Sequence, residues 1–264
     1  MELSIVDLER YPLDRLDSPA GMALVEDVRA QMERDSGAHL PGFLHPSGLA
    51  ACLAEAEGAA PLARHSNNRF TPYYRKPDPS YPAGHPRASA VTFAVGYVAR
   101  DDIAPASPFR ALYEGEAMLA FMRAVTPGAP VWRYSEPRGS LNITVMRAGE
   151  ELGWHFDANE TVASVLFRKA AGGGRFGWIP DIRSPGDPAE DAIAAVLAGD
   201  TSNARWVDPE AGDLLLFRGR NALHCVTPIE GEPPRLIGLM SFDNVEVAPA
   251  NPATRELMAS PVSD

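Results

Sequence analysis

The chain has few cysteines and no sign of an export or membrane segment. Its two cysteines, Cys52 and Cys225, lie far apart and form no disulfide framework, which favours the reducing cytosol over secretion. The N-terminus, MELSIVDLERYPLD, has acidic residues where a signal peptide needs a basic start and an apolar run. No apolar stretch approaches the ~20 residues that span a bilayer. We therefore expect a soluble, cytoplasmic protein with no membrane partner.

Positive charge is also scarce. With 24 Lys and Arg against 35 Asp and Glu, the formal net charge is −11, whereas nucleic-acid sites carry a concentrated basic patch. We expect a small-molecule substrate and no nucleic acid. The 264 residues, 45% of them hydrophobic, suffice for a sizeable core. We predict a single domain with a helical and loop-rich part at 1–130, a core at 131–245 and a tail at 246–264, and we leave a homodimer open.

The first third of the chain has the signals of helices and loops. Three pairs, Ser18-Pro19, His45-Pro46 and Ser107-Pro108, each place proline at a favourable first helical position. The predicted elements are helices at about 18–34, 47–58 and 107–125 and a strand at 90–98. The intervening stretch 65–87 is rich in Pro, Tyr and Arg, so we predict a loop of the kind that often carries binding groups.

From Val131 the pattern changes to short apolar segments separated by turn residues, which is typical of an all-β fold. One helix, at about 188–198, interrupts them. About eight short strands suit a double-sheet jelly roll, whose interior can hold a ligand. The predicted strands are 140–147, 153–157, 161–168, 175–179, 204–207, 213–217, 222–227 and 235–242.

The triplet His155-Phe156-Asp157 is the strongest functional signal. In an extended strand, side chains alternate between faces, so His155 and Asp157 point the same way. A later strand supplies a second histidine, His224. Two His and one carboxylate on one face of a metal are the ligand set of non-haem Fe(II) oxygenases. A common HxD triplet and a core histidine bonded to a carbonyl are the alternatives, but the three residues together favour a metal site.

Arg235 opens the last strongly apolar strand, RLIGLMSF. An arginine there is costly unless its guanidinium meets an anion, which it can bind through two parallel hydrogen bonds. We expect it to bind the distal carboxylate of 2-oxoglutarate, the alternative being a salt bridge within the protein. By strand alternation Asn142, Thr144 and Ser241 point to the same cavity, and Asn142 is a candidate donor to the 2-oxo acid.

Four segments carry a family resemblance: GWHFDANETVASVLF, AGGGRFGWIPDIR, AGDLLLFRGRNALHCVTPIEG and PRLIGLMSFD. They resemble Fe(II)/2-oxoglutarate-dependent oxygenases, and in particular the branch that contains free-amino-acid halogenases and their hydroxylating relatives. The resemblance covers about residues 85–245. It implies a mainly β fold with some α structure: a double-stranded β-helix (jelly roll, cupin-like) core with N-terminal and flanking helices. It also implies that His155, Asp157 and His224 bind Fe(II), and that Arg235 binds 2-oxoglutarate.

One position departs from the halogenases of this branch. Their carboxylate ligand is replaced by a small residue, which leaves a coordination position for chloride, whereas this chain has Asp157. We therefore expect hydroxylation. Leu152, Ala158 and Leu239 stand where lysine-acting members place polar groups, which favours a less polar substrate side chain.

The resemblance predicts a free amino acid or a similar metabolite of natural product biosynthesis as substrate. Its carboxylate needs a cation, for which Arg69 and Arg75 are candidates, and its ammonium needs an acid, for which Glu136 is a candidate. Trp154 is a candidate cavity wall, together with Trp178. Solvated loop charges and core tryptophans are the alternatives.

The leading hypothesis is an enzyme, a hydroxylase that uses Fe(II), 2-oxoglutarate and O2 and releases succinate and CO2. Desaturation or cyclisation on the same scaffold is an alternative, because the metal ligands do not distinguish these outcomes. A cupin-like metal-binding protein or isomerase without O2 chemistry is a second alternative. A demethylase of the same superfamily is a third, and a halogenase ranks last.

Overall fold

The computed structural model describes residues 2–126, 128–184 and 186–248 of the chain. Most of the predicted tail, from residue 249 onward, lies outside them. The helices are α1 (Pro19–Asp35), α2 (Pro46–Ala59), α3 (Pro108–Glu114), α4 (Glu116–Val125) and α5 (Glu190–Leu197). No helix in the described ranges is long and apolar enough to cross a membrane.

The three helix starts predicted from Ser-Pro and His-Pro pairs are confirmed, and each has a side-chain cap. Ser18, His45 and Ser107 accept hydrogen bonds from backbone N–H groups in the first turns of α1, α2 and α3. Such caps accept hydrogen bonds from backbone N–H groups that have no partner within the helix. The proline that follows each cap has no N–H group and therefore needs no acceptor.

The single helix predicted at 107–125 is wrong, because the chain forms α3 and α4 instead. They are separated at Gly115, whose backbone is extended (φ −70°, ψ 148°). Glycine is a poor helix former. A Cβ at this position would also lie 2.5 Å from the Cβ of Glu2. Glycine at this position therefore lets Glu2 pack closely against the junction between α3 and α4.

Fourteen strands form within the described residues. They are β1 (Gly37–Leu40), β2 (Arg64–Phe70), β3 (Val91–Ala99), β4 (Trp132–Arg133), β5 (Leu141–Met146), β6 (Glu151–His155), β7 (Thr161–Arg168), β8 (Gly172–Gly173), β9 (Phe176–Ile179), β10 (Arg205–Val207), β11 (Leu214–Phe217), β12 (Leu223–Val226), β13 (Ile229–Glu230) and β14 (Arg235–Asp243). All eight strands predicted after Val131 are present, with ends within two residues of the prediction.

The loop predicted at 65–87 is wrong at its beginning. Arg64–Phe70 is β2, which pairs antiparallel with β3 over seven residues. Its sequence, RHSNNRF, lacks an apolar alternation because most of its side chains are exposed or half-buried. Backbone hydrogen bonds to the more buried β3 form this strand, and side-chain patterns do not report them.

The main sheet is antiparallel and curls around a cavity. Its strand order is β1-β11-β7-β14-β5-β3-β6-β12-β9-β10, with β2 paired to β3 and β4 paired to β14. Although β11 and β9 lie near opposite ends of this order, the ring centroids of Phe217 and Phe176 are 4.9 Å apart. The two ends of the sheet therefore meet, and the predicted jelly-roll core is confirmed.

The two faces of the sheet bury different residues. On the outer face, alternate residues such as Ile143, Val165 and Leu236 pack against helices α1–α4 in one large core cluster. On the inner face, the intervening residues such as Thr144, Ser164 and Ile237 line the cavity. Strand alternation thus separates a structural core from a cavity that contains polar groups.

Candidate active site

His155, Asp157 and His224 converge at the cavity. One potential ligand atom from each lies within 4.8 Å of the others. His155 Nε2 is 3.7 Å from Asp157 Oδ1, and His224 Nε2 is 3.4 Å from Asp157 Oδ2. The two histidines are direct partners on the neighbouring strands β6 and β12. The arrangement has the size and donor set of a metal site.

Backbone carbonyls orient both imidazoles. His155 Nδ1 lies 2.7 Å from the carbonyl oxygen of Gly153, and His224 Nδ1 lies 2.9 Å from that of Ala222. A carbonyl only accepts hydrogen bonds, so each Nδ1 carries the proton and each Nε2 presents a lone pair to the site. Burial lowers the pKa of His155 to about 3, so its ring is neutral at physiological pH.

The carboxylate of Asp157 is placed by the chain beyond the strand. Strand β6 ends at His155, two residues earlier than predicted. The N–H of Asp157 instead donates to the carbonyl of Gly219 at 2.8 Å. Burial raises the pKa of Asp157, but the adjacent imidazoles of His224 and His155 outweigh it, and the net effect is a lowered pKa. The carboxylate is therefore available as an anionic ligand.

Arg235 lines the same cavity as the three residues. It is only 3% exposed, and among the described residues no carboxylate lies within salt-bridge distance of it. Among the described residues, its side chain has one hydrogen-bond contact, from Nη1 to the Met146 sulfur at 4.0 Å. Burial lowers the pKa of Arg235 to about 10. A buried cation without a counter-ion is costly, which indicates that an anion belongs in this cavity.

The other three residues predicted near 2-oxoglutarate also line the cavity. Asn142, Thr144 and Ser241 are buried on its wall. Thr144 Oγ1 donates to Asn142 Oδ1 at 3.2 Å. This bond leaves the amide nitrogen of Asn142 as a donor available to a ligand.

The four candidate substrate residues lie outside the lining of this cavity. Arg69 is exposed and donates to the Ala90 carbonyl at 2.9 Å, and Arg75 is exposed. Glu136 is half-buried in the segment before β5. Trp154 packs edge-on against Trp206, away from the metal site. These four assignments stay predictions.

Several cavity residues were not predicted. Tyr74 and Tyr97 lie in the lining, and the Tyr74 ring packs edge-on against His155 with centroids 5.5 Å apart. Tyr74 has a left-handed backbone (φ 54°), a conformation that costs energy for a bulky residue. The sequence signal for Tyr74 was the Pro-, Tyr- and Arg-rich composition of residues 65–87, which predicted a loop that carries binding groups. Ser164 was identifiable from alternation in β7, since it lies two residues from Val162 on the cavity wall.

A second cavity adjoins the first. It shares Tyr74, Asp157 and Ala158 with the first cavity, and its other lining residues are Tyr73, Phe156, Arg183 and Arg220. Arg183 ends a segment that carried the family resemblance. Its sequence environment, however, gave no sign that it lies beside Asp157.

Comparison with solved structures agrees with the fold. The epimerase SnoN from nogalamycin biosynthesis, in complex with Fe3+, alpha ketoglutarate and nogalamycin RO, is 18% identical with a TM-score of 0.56, covering 84% of each chain. A 2OG-Fe(II) oxygenase family oxidoreductase from Burkholderia pseudomallei is 15% identical with a TM-score of 0.55, covering 85% of this chain and 92% of that chain. A prolyl hydroxylase from Trichoplax adhaerens, in complex with a hypoxia inducible factor peptide, is 12% identical with a TM-score of 0.57, covering 88% and 92%.

Sequence comparison gives the family. No curated protein matches the chain. The family model described as Halogenase D matches residues 88–262, which is more than half of the chain and includes the His155-Asp157-His224 cluster and Arg235. The chain therefore belongs to the halogenase D family, and it has the fold of the 2-oxoglutarate-Fe(II) oxygenases.

Proposed function

We propose that this enzyme uses Fe(II), 2-oxoglutarate and O2 to hydroxylate an unactivated C–H bond of a free amino acid or an amino-acid-like metabolite. The observation that carries the proposal is the unpaired, buried guanidinium of Arg235 in the cavity that contains His155, Asp157 and His224. A metal-binding protein without a dicarboxylate co-substrate has no need of such a cation.

The residues fit this chemistry. Two imidazoles and one carboxylate on one side of a metal are the ligand set of non-haem Fe(II) oxygenases. When bound, iron would activate O2, which oxidises both the substrate and 2-oxoglutarate, the latter to succinate and CO2. Arg235 would bind the distal carboxylate through its planar guanidinium, and the Asn142 amide would donate to the 2-oxo acid. The apolar wall, including Leu239 and Phe217, would exclude water.

Asp157 favours hydroxylation over halogenation. In the resembling halogenases a small residue leaves a metal position for chloride, whereas here a carboxylate lies within 3.7 Å of His155 Nε2 and 3.4 Å of His224 Nε2. A halide would have to compete with this anionic ligand. We therefore expect this chain not to catalyse halogenation, the activity after which its family is named.

The test uses anaerobic protein with Fe(II) and 2-oxoglutarate. We expect the weak visible charge-transfer band of this chelate, and succinate formation once O2 and a substrate from an amino-acid panel are added. His155→Ala should lose both. His85→Ala, which removes a histidine paired with Glu190 at 3.3 Å outside the cavity, should keep both. Wild-type protein with neither the band nor succinate would refute the proposal.

A second candidate is stereochemical inversion, desaturation or ring closure at the same site. It is favoured by the structural similarity to SnoN, which is described as an alpha ketoglutarate dependent epimerase. Mass spectrometry of the product distinguishes the outcomes: hydroxylation adds one oxygen atom, desaturation or ring closure removes two hydrogens, and epimerisation leaves the mass unchanged. A chlorinated product from the unaltered protein would instead support halogenation.

A further inference from the structure

The second cavity contains two arginines whose surroundings differ. Arg220 is neutralised, since its Nη2 lies 2.9 Å from both carboxylate oxygens of the buried Asp243 and its Nη1 lies 3.2 Å from Glu160. Its Nη2 also donates to the Ala158 carbonyl at 2.9 Å. These contacts occupy the guanidinium, so Arg220 has a structural role.

Arg183 has no such partner. Its Nε donates to the Arg220 carbonyl at 2.8 Å. Within the described ranges, neither terminal nitrogen forms a hydrogen bond and no carboxylate lies within 4.0 Å. Its guanidinium carbon lies 3.7 Å from the centroid of the Phe156 ring. Burial lowers the pKa of Arg183, with smaller effects from Tyr73, Arg220 and Glu160. Because only Nε is engaged, the terminal N–H groups of Arg183 are available to donate hydrogen bonds to a ligand.

Tyr73 lines the same cavity. Its ring stacks on Phe156 with centroids 5.8 Å apart and planes inclined by 20°, and the Arg183 guanidinium carbon lies 5.7 Å from its centroid. The Tyr73 hydroxyl is buried and has no hydrogen-bond partner among the described residues. Buried hydroxyls without a partner are uncommon, because leaving one unsatisfied costs about 1–3 kcal/mol.

The lining therefore includes a cation and a tyrosine hydroxyl that both lack partners within the described residues, next to the proposed metal site. It shares Asp157 and Ala158 with the main cavity. The terminal N–H groups of arginine match a carboxylate. Arg235 lines only the main cavity, so each cavity has its own anion-binding group.

We propose that Arg183, with the hydroxyl of Tyr73, binds the carboxylate of the substrate beside Asp157. The proposal rests on the function proposed above, and it adds which residues bind the substrate's carboxylate. Arg183 and Tyr73 take the role that the sequence analysis assigned to Arg69 and Arg75. The Phe156 ring, stacked under both groups, would keep them at fixed positions.

Calorimetry on metal-free protein tests the site without turnover. A panel of free amino acids is titrated into wild-type protein, and the tightest binder is compared with its carboxamide. We expect the amide to bind about tenfold or more weakly, because it loses a charge-assisted hydrogen bond. Arg183→Gln should weaken the amino acid by a similar factor and remove its advantage over the amide. Tyr73→Phe, which keeps the ring, should have a smaller effect of the same sign.

Arg175→Gln is the matched control. Its guanidinium carbon lies 5.0 Å from the Trp206 ring centroid, outside both cavities, so binding should be unchanged. If Arg183→Gln loses the native circular dichroism spectrum, Arg183→Lys replaces it and should keep part of the discrimination. An Arg183 variant that binds acid and amide as wild type does would overturn the proposal, as would wild-type protein that binds no amino acid.

These results are separable from the proposed function. Failure of the charge-transfer band and of succinate formation refutes the Fe(II)/2-oxoglutarate chemistry, whatever calorimetry shows. Normal succinate formation with a substrate whose affinity does not depend on Arg183 refutes only the carboxylate subsite. If turnover is found, the KM for the amino acid should rise in Arg183→Gln while the KM for 2-oxoglutarate stays at its wild-type value.

Discussion

At the scale of single residues, Gly219 contacts Asp157 and positions its carboxylate at the proposed metal site. Its carbonyl accepts the N–H of Asp157 at 2.8 Å. A Cβ at position 219 would come within 2.8 Å of both Cβ and Cγ of Asp157 and would contact Oδ2 as well. Glycine is needed here for space, because any side chain would push the carboxylate away from His224.

We predict that Gly219→Ala weakens metal binding while the fold is retained. Displacing a metal ligand through its neighbour typically costs about 10- to 100-fold in affinity. The measurement is anaerobic calorimetry with Fe(II). Gly58→Ala is the control, since a Cβ there has open space around it on α2, and its metal affinity should equal that of wild type. Unchanged affinity in Gly219→Ala would contradict the assignment of Asp157 as a ligand.

Arg235 is the residue whose burial is hardest to explain by stability. A charged group in an interior costs free energy unless it is paired, and among the described residues the Arg235 side chain has one hydrogen-bond contact, to the Met146 sulfur. Residues retained for binding often lower stability in this way. The energy would be recovered when a dicarboxylate enters the cavity.

We therefore predict that Arg235→Met raises the free energy of unfolding by about 1–3 kcal/mol in the absence of 2-oxoglutarate. Adding 2-oxoglutarate with metal should raise the Tm of wild type and leave that of the variant unchanged. Urea denaturation measures the first effect and calorimetric melting the second. Arg168→Met, which removes an arginine paired with Glu57, should change stability by only about 0–1 kcal/mol. A less stable Arg235→Met protein would argue that the guanidinium is structural.

At the scale of elements, a glutamate on α2 accepts a hydrogen bond from the serine that caps α3. The Ser107 hydroxyl, which caps α3, donates to Glu55 Oε2 on α2 at 2.7 Å. The other oxygen, Oε1, is buried and has no partner in the part of the chain that the structure describes. Burial raises the pKa of Glu55, and the hydrogen bond from Ser107 only partly offsets it. The contact thus joins two helices but leaves an incompletely satisfied charge.

This pKa direction sets a pH dependence. Because the folded-state pKa is above the unfolded value, the folded protein binds more protons between the two values, and Glu55 favours folding as the pH falls through that window. We predict that Glu55→Gln, which keeps an acceptor for Ser107, raises the Tm at pH 7–8. The gain should shrink as the pH approaches 4.5. Melting curves of both proteins across this range are the test, and a gain that grows toward low pH would contradict it.

Much of the element structure follows from local sequence. The capped starts of α1, α2 and α3 and the eight apolar strands after Val131 were predicted, because caps and alternation act within a few residues. Strand β2 and the break at Gly115 were not. The first depends on pairing with β3, and the second on packing against Glu2, so both need contacts that are distant in sequence.

At the scale of the whole molecule, the metal site joins distant parts of the chain. His155 ends β6, His224 lies on β12, and Asp157 is bonded to the loop that precedes β12. A ligand that binds only the folded arrangement stabilises the entire fold, by about 2.7 kcal/mol at a free concentration 100 times its Kd.

We predict that the Tm of the metal-free protein rises with Fe(II) concentration under anaerobic conditions. His224→Ala should abolish the rise, because two remaining ligands bind weakly. His85→Ala should retain it in full. Calorimetric melting over a range of metal concentrations measures the effect. A Tm that rises equally in His224→Ala would place the metal elsewhere.

The sequence by itself determined the ligand types, the β-rich core and the family. His155, Asp157 and His224 carry donor chemistry in their side chains, and the alternation of 235–241 predicts which residues share a face. Only the tertiary structure decided which arginines lack a counter-ion. Arg183 and Arg220 both lie outside helices and strands, but Asp243 neutralises Arg220, whereas Arg183 packs on the Phe156 ring. Pairing depends on contacts between segments far apart in the chain, and residue types alone do not record them.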